Sequence, residues 1–153
     1  MKTKKEVSTK AVQKLREATG AGVMDCHRAL MEAKGNLDAA AAIIREKGFS
    51  KMEHRAGRVT GAGLVRAYVH NDRIGVLLEL RAETDFVVRS EPFQNLAREL
   101  TMQIAASAPN DTEELVSQPY IKDESKTVKD LVSEVVAKTG ENISIGQFYR
   151  IEV

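Results

Sequence analysis

The apolar residues of this chain change from helical to extended spacing near Gly61 and Gly63, and this change constrains the fold more than any other feature. Before it, apolar residues recur every three to four positions, as on one face of a helix. After it, they fill two extended runs that end near Leu80. Because a helical pattern does not suit a strand, the two parts need different structures. The sequence therefore predicts an α+β protein, with a helical part first and a sheet after it.

The first part has the start and stop signals of three short helices. Ser8 and Asn36 are suitable N-caps for the first and third helices. Gly20, Gly35 and Gly48 follow the three apolar stripes and are suitable stops. The alanine run in the third helix lets helices approach closely, so the pattern predicts a compact three-helix bundle.

The second part predicts the order β-β-α-α-β. Asn71-Asp72 is typical hairpin-turn chemistry, and Ser90-Glu-Pro-Phe is typical of a helix start. A polar connection is expected over residues 108–126. The five elements are expected at 63–70, 73–80, 90–104, 127–138 and 143–153. The result would be a three-stranded antiparallel sheet with helices on one face.

These patterns divide the chain into three regions. We expect a three-helix domain at residues 1–48, a basic linker at 49–62 and an α+β domain at 63–153. Part of the linker, within residues 49–58, can also be helical. A three-stranded sheet has two unpaired edges, which favours pairing with a second copy of the chain.

Composition argues against several classes of protein. The net charge is +1, and the basic residues of the first 58 positions are interspersed with acids, with Phe49 as the only aromatic among them. This gives no stacking platform for nucleic acid, so we expect no direct nucleic-acid binding. No apolar run is long enough to span a bilayer, and the N-terminus lacks a signal peptide. The single cysteine, Cys26, suits a reducing compartment, and we predict a cytoplasmic protein.

The sequence also lacks the signatures of catalysis. There is no P-loop, HExxH or GxSxG motif, and the histidines and Cys26 lack metal-ligand spacing. We therefore predict a binding protein rather than an enzyme, without metal or cofactor. Two alternatives stay open from the residues alone. One is a general protein-interaction module, and the other is a small metabolic enzyme built around His70, Glu79 and Asp85.

Three stretches resemble the elongation factor Ts family of bacterial translation factors. They are LREATGAGVMDCHRAL at residues 15–30, ETDFV at 83–87 and KTGENI at 138–143. The resemblance runs over almost the whole chain, and the first stretch is the most specific. It implies a first domain similar to ubiquitin-associated domains and a short form of the family with one copy of the sheet domain.

The resemblance also implies a function. Family members act as guanine nucleotide exchange factors: they bind the GTPase elongation factor Tu in its GDP-bound and nucleotide-free forms and promote GDP release. Short members pair through their sheets, so a homodimer is implied.

Two groups of partner-binding residues are implied by the same motifs. In the family, an Asp-Phe pair enters a gap between two helices of the GTPase and disturbs its Mg²⁺ site, which points here to Thr84, Asp85, Phe86 and Val87. The start of the second helix docks on the GTPase, which points to Val23, Met24, Asp25 and His27.

The residues themselves leave some of these assignments open. An outward Phe86 and a Phe86 packed under the following helix carry similar weight, since phenylalanine is usually buried. Val23 is expected on the inward stripe of its helix, with Met24 off that stripe and free for a partner. Asp25 alone would suit the positive end of a helix.

Overall fold

The computed structural model describes residues 7–153, which divide into two compact units between Lys51 and Met52. Within the described residues, no helix has both the length and the apolar character needed to cross a membrane.

The described residues of the first unit form three helices, as the sequence predicts, and the third extends past the division. They are α1 (Thr9–Thr19), α2 (Val23–Glu32) and α3 (Leu37–Arg55). The Ser8 hydroxyl accepts the Ala11 N–H at 3.1 Å, and the Asn36 side chain accepts the Ala39 N–H at 2.9 Å. Gly20 ends α1 with a left-handed φ of 68°. The core is small and consists of Val12, Leu15, Cys26, Ala29, Leu30 and Ala40.

The predicted end of the third helix at Gly48 is wrong. The helix α3 continues through this glycine to Arg55. A glycine inside a helix costs only about 1 kcal/mol relative to alanine, and the good helix formers on both sides offset that cost. The division between the units falls inside α3, so the boundaries proposed at residues 48 and 62 stay predictions.

The second unit is built on a three-stranded antiparallel sheet in the order β1-β2-β5. Asn71 and Asp72 have positive φ angles of 49° and 56°, as the tight turn between β1 and β2 requires. The strands are β1 (Ala62–His70), β2 (Ile74–Ala82) and β5 (Ile143–Glu152).

Helices cover one face of this sheet. The core between them includes the predicted inward face of the longest helix of this unit, at Phe93, Leu96, Ala97, Leu100 and Ile104. The helices of this unit are α4 (Asp85–Val88), α5 (Glu91–Ser107), α6 (Thr112–Ser117) and α7 (Val128–Thr139). Both α5 and α7 match the sequence prediction, and the α+β fold class is confirmed.

The predicted order β-β-α-α-β is incomplete, because the polar connection over residues 108–126 also contains regular structure. This segment holds α6 and a small hairpin of β3 (Pro119–Tyr120) and β4 (Asp123–Thr127). The Asp111 side chain caps α6 by accepting the Glu114 N–H at 2.8 Å, and Leu115 is fully buried. These elements are too short for a repeating apolar pattern to reveal them.

Candidate functional site

The most exposed large ring of the described chain belongs to Phe86, on the single helical turn α4 that follows β2. The Thr84 hydroxyl caps this turn by accepting the Val87 N–H at 3.4 Å. Because each helical residue turns by about 100°, two adjacent residues of one turn can face inward while the residue before them faces out. Val87 and Val88 face the core, and Phe86 is 85% exposed.

This arrangement answers the question that the residues left open. Phe86 does not pack under the following helix, and the outward orientation is confirmed. Thr84 and Asp85 are exposed beside it. Val87 is only 4% exposed and belongs to the core cluster, so in this conformation it anchors the turn instead of presenting its side chain to a partner.

A residue that the sequence did not reveal also contacts this turn. The Glu141 carboxylate, which follows α7, accepts the Thr84 hydroxyl at 2.7 Å. The two residues are far apart in sequence, and only a resemblance to the family, not a pattern, had marked the segment around Glu141. The signal that was present is an acidic residue directly after a helix stop at Gly140.

The second group of candidate residues lies at the start of α2, in the first unit. Met24 is 66% exposed, as expected, but Val23 is 49% exposed, so its inward placement is wrong. Val23 is the first residue of α2, where no preceding turn of the helix covers it. His27 is also exposed, whereas Asp25 is half-buried and pairs with Arg28 at 2.6 Å.

The three residues of the enzyme alternative lie in different local surroundings. His70 contacts the Tyr68 hydroxyl at 2.9 Å, and Glu79 accepts the Gln147 N–H at 3.2 Å. Asp85 lies in the first turn of α4. Among residues 7–153, no group of three or more His, Cys, Asp or Glu side chains is placed to hold a metal ion.

The face of the sheet opposite the helices is open and largely apolar. Its outward side chains are Val65, Val69, Leu77, Tyr149 and Ile151, each at least half exposed. Leu77 lies at the centre, paired in register with Ala67 on one side and Tyr149 on the other. On the same face, the Gln147 N–H and the Arg81 guanidinium hold the pKa of the Glu79 carboxyl below its usual value, so that this group is ionised at neutral pH.

Comparison with known proteins covers both units of the chain. The family model for elongation factor Ts matches residues 83–153, a range that contains Phe86 and Glu141. Elongation factor Ts of Thermotoga neapolitana is 42% identical, over 97% of this chain and 98% of that protein. The Thermoanaerobacter sp. strain X514 protein of the same name is 41% identical, over 95% of this chain and 94% of its own length. The one from Alkaliphilus oremlandii is 34% identical, over 97% and 89%.

Proposed function

We propose that this chain weakens GDP binding by the GTPase elongation factor Tu mainly through a contact made by Phe86. The chain belongs to the elongation factor Ts family and is a nucleotide exchange factor for elongation factor Tu. As a member of this family, it forms and breaks no covalent bond. The observation that carries the proposal is the 85% exposure of a large apolar ring on a turn whose next two residues are buried. Aromatic residues, phenylalanine among them, are enriched at the cores of protein–protein interfaces.

The mechanism follows from linkage. A factor that binds the nucleotide-free GTPase more tightly than the GDP form weakens GDP binding by the same ratio. Each tenfold of weakening requires about 1.4 kcal/mol of differential contact. A contact that is equally strong with both forms does not change the affinity for GDP. Phe86 would supply the differential contact by entering a gap that opens as the Mg²⁺ site is disturbed, with the Asp85 carboxylate beside it.

The start of α2 would supply the other kind of contact. Val23 and Met24 are exposed apolar side chains on a helix, suited to an adaptable surface contact with the GTPase. We expect this contact to hold the complex in both nucleotide states. It would then set the concentration at which the factor works, while Phe86 sets the maximal rate of GDP release.

The test is the release of a fluorescent GDP analogue from elongation factor Tu, over a range of concentrations of this protein. The native chain should give a release rate that rises and saturates. The Phe86→Ala variant should saturate at a much lower rate. A native maximal rate in the variant would show that Phe86 is not the main contact that promotes GDP release.

For Met24→Ala we expect a different change in the same assay. The half-saturating concentration should rise about fivefold, which corresponds to a contact of about 1 kcal/mol, and the maximal rate should stay within twofold of the native value. Met31→Ala, a methionine two turns further along α2 and 38% exposed, is the matched control and should change neither quantity. A fall in the maximal rate of Met24→Ala would contradict the division of roles.

The open sheet face supports a homodimer. Five outward apolar side chains form a continuous strip on this face, and burying such a strip against a second copy would remove it from water. This strip supports a contact through the face of the sheet as well as through its edges. The ionised Glu79 keeps Arg81 as its partner within the same chain, so the contact would not bury an unpaired charge.

We expect Leu77→Glu to dissociate this dimer. A carboxylate at the centre of the strip would meet its own copy across a two-fold axis, and leaving it charged there is costly. Sedimentation equilibrium should show a dimer for the native chain and a dissociation constant at least tenfold weaker for the variant. Ile121→Glu, which places the same charge on an exposed apolar position of the β3–β4 turn, should remain dimeric. A native monomer at all concentrations would overturn the proposal.

We propose a cytoplasmic location for this protein, which the single Cys26 and the resemblance to bacterial translation factors favour. The proposal involves no nucleic acid and no membrane.

A further inference from the structure

The carboxylate of Glu141 lies against the two residues that lead from β2 into α4. One oxygen accepts the backbone N–H groups of Glu83 at 3.1 Å and Thr84 at 3.0 Å. The other oxygen accepts the Thr84 hydroxyl at 2.7 Å. Hydrogen bonds to an ionised acceptor are stronger than neutral ones, so three of them fix this short segment firmly.

The contact is reciprocal. The Glu83 carboxylate accepts the backbone N–H of Asn142 at 2.7 Å. The Asn142 side chain in turn donates to the carbonyl oxygens of Ala56, at 3.3 Å, and Arg58, at 2.8 Å. The segment before α4 and the segment after α7 therefore hold each other through side chains from both.

This network reaches Phe86 through Thr84. The same Thr84 hydroxyl donates a hydrogen bond to Glu141 and accepts one from the Val87 N–H, and so caps the start of α4. A helix of four residues has too few internal hydrogen bonds to fix its own orientation. The direction of the Phe86 ring, two residues after Thr84, thus depends on what holds the start of this turn.

The other end of α4 is held separately. The Gln94 side chain donates to the Val88 carbonyl oxygen at 2.7 Å, and Gln94 itself accepts a hydrogen bond from Arg66 of β1. With this end fixed to the sheet, loss of the bonds to Glu141 would let the start of the turn shift without unfolding the unit.

We infer that Glu141 is a positioning residue for nucleotide exchange: it holds the start of α4 so that Phe86 is aimed at the GTPase before binding. This role rests on the proposed function of Phe86. Fixing the ring in advance lowers the entropy lost when it enters the partner, so the benefit appears in the exchange rate.

The alternative is that Glu141 only stabilises the fold. A double-mutant cycle separates the two, because a residue that acts through Phe86 has nothing to act on once the ring is gone. A general loss of stability would instead persist in the Phe86→Ala background.

The experiment measures the maximal rate of GDP release from elongation factor Tu for the native chain, Glu141→Ala, Phe86→Ala and the double variant. We expect Glu141→Ala to lose about tenfold, and the double variant to match Phe86→Ala within about twofold. Glu141→Gln keeps a carbonyl oxygen for the two N–H groups, so it should retain most of the native rate. Thermal unfolding is recorded for each variant.

Glu114→Ala is the matched control. The Glu114 carboxylate also accepts a backbone N–H, that of Asn110 at 2.8 Å, but it lies on α6. Its removal should leave the release rate unchanged. If Glu141→Ala does not fold at the assay temperature, Glu141→Asp gives the same test, because its carboxylate keeps the charge but stops one methylene short.

The outcomes separate this inference from the function beneath it. A native rate in Glu141→Ala beside a slow Phe86→Ala would overturn the positioning role alone. A double variant that falls tenfold below Phe86→Ala would assign Glu141 to stability and overturn it too. A native rate in Phe86→Ala would overturn the proposed role of Phe86 in exchange, and the positioning role of Glu141 with it.

Discussion

The Phe86→Ala variant should lose at least about thirtyfold in the maximal rate of GDP release from elongation factor Tu. Truncating an aromatic side chain at the centre of an interface commonly costs about 2 kcal/mol or more, and about 1.4 kcal/mol corresponds to each tenfold. The loss should appear in the maximal rate because the ring is proposed to bind the nucleotide-free form better than the GDP form. The half-saturating concentration should change much less.

Stability should not explain this loss. Since the Phe86 ring is 85% exposed in the free protein, its removal takes almost no apolar surface out of the core. We expect the thermal unfolding midpoint of Phe86→Ala to stay within about 2 °C of the native value, because exposed substitutions usually change stability by less than about 0.5 kcal/mol.

Ile121→Ala is the control for apolar truncation in the same unit. Ile121 is 42% exposed and lies in the β3–β4 turn, outside both groups of proposed contact residues. It should release GDP at the native rate. Equal losses in Ile121→Ala and Phe86→Ala would show that the assay reports general surface effects. The proposed role of Phe86 would then be overturned.

Short-range chemistry made most of the fold predictable. The caps at Ser8 and Asn36, the stop at Gly140 and the turn at Asn71-Asp72 each depend on residues within four positions, and all occur in the structure. Gly48 misled because a glycine signals a helix end only when the chain there adopts a left-handed conformation. Inside α3 it keeps the helical one, and the residues around it decide the outcome.

The orientation of Phe86 was not predictable from its own residue type. Phe86, Val87 and Val88 are three consecutive apolar residues, and one helical turn can bury only part of such a run. Which of them faces out depends on where the turn begins. Thr84 sets that start by capping the turn. The sequence does not show which residue is the cap until the position of the helix is known.

The role of Glu141 depends on contacts that no local pattern encodes. Its partners lie 57 and 58 positions away along the chain. Those residues meet because β2 and β5 are neighbouring strands of one sheet, which brings the exit of β2 beside the entry to β5. The order of the strands therefore had to be known before Glu141 could be recognised as a partner of the segment that precedes α4.

The largest effect on stability should come from Leu30→Ala in the first unit. Leu30 is fully buried, and truncating a buried leucine to alanine costs about 2–5 kcal/mol. Among the described residues of this unit, six make up the buried core. A core that small supplies no more than about 3–5 kcal/mol, so the substitution removes most or all of the stability.

The second unit should stay folded in this variant, because its core shares no residue with that of the first. In a ¹H–¹⁵N NMR spectrum, we expect the signals of residues 7–51 to lose their dispersion while those of the second unit keep theirs. Leu37→Ala, at a leucine of the same unit that is 37% exposed, is the control and should keep both sets. Dispersed signals from both units in Leu30→Ala would show that the small core is not what holds the first unit together.

The same variant gives a strict test of the two roles in exchange. With the surface at the start of α2 lost, the half-saturating concentration should rise by more than the fivefold expected for Met24→Ala. The maximal rate should persist, since Phe86 and the network around Glu141 belong entirely to the second unit. A maximal rate that falls with the first unit would mean that the helical bundle also distinguishes the GDP form from the nucleotide-free form, and that the differential contact is spread over both units.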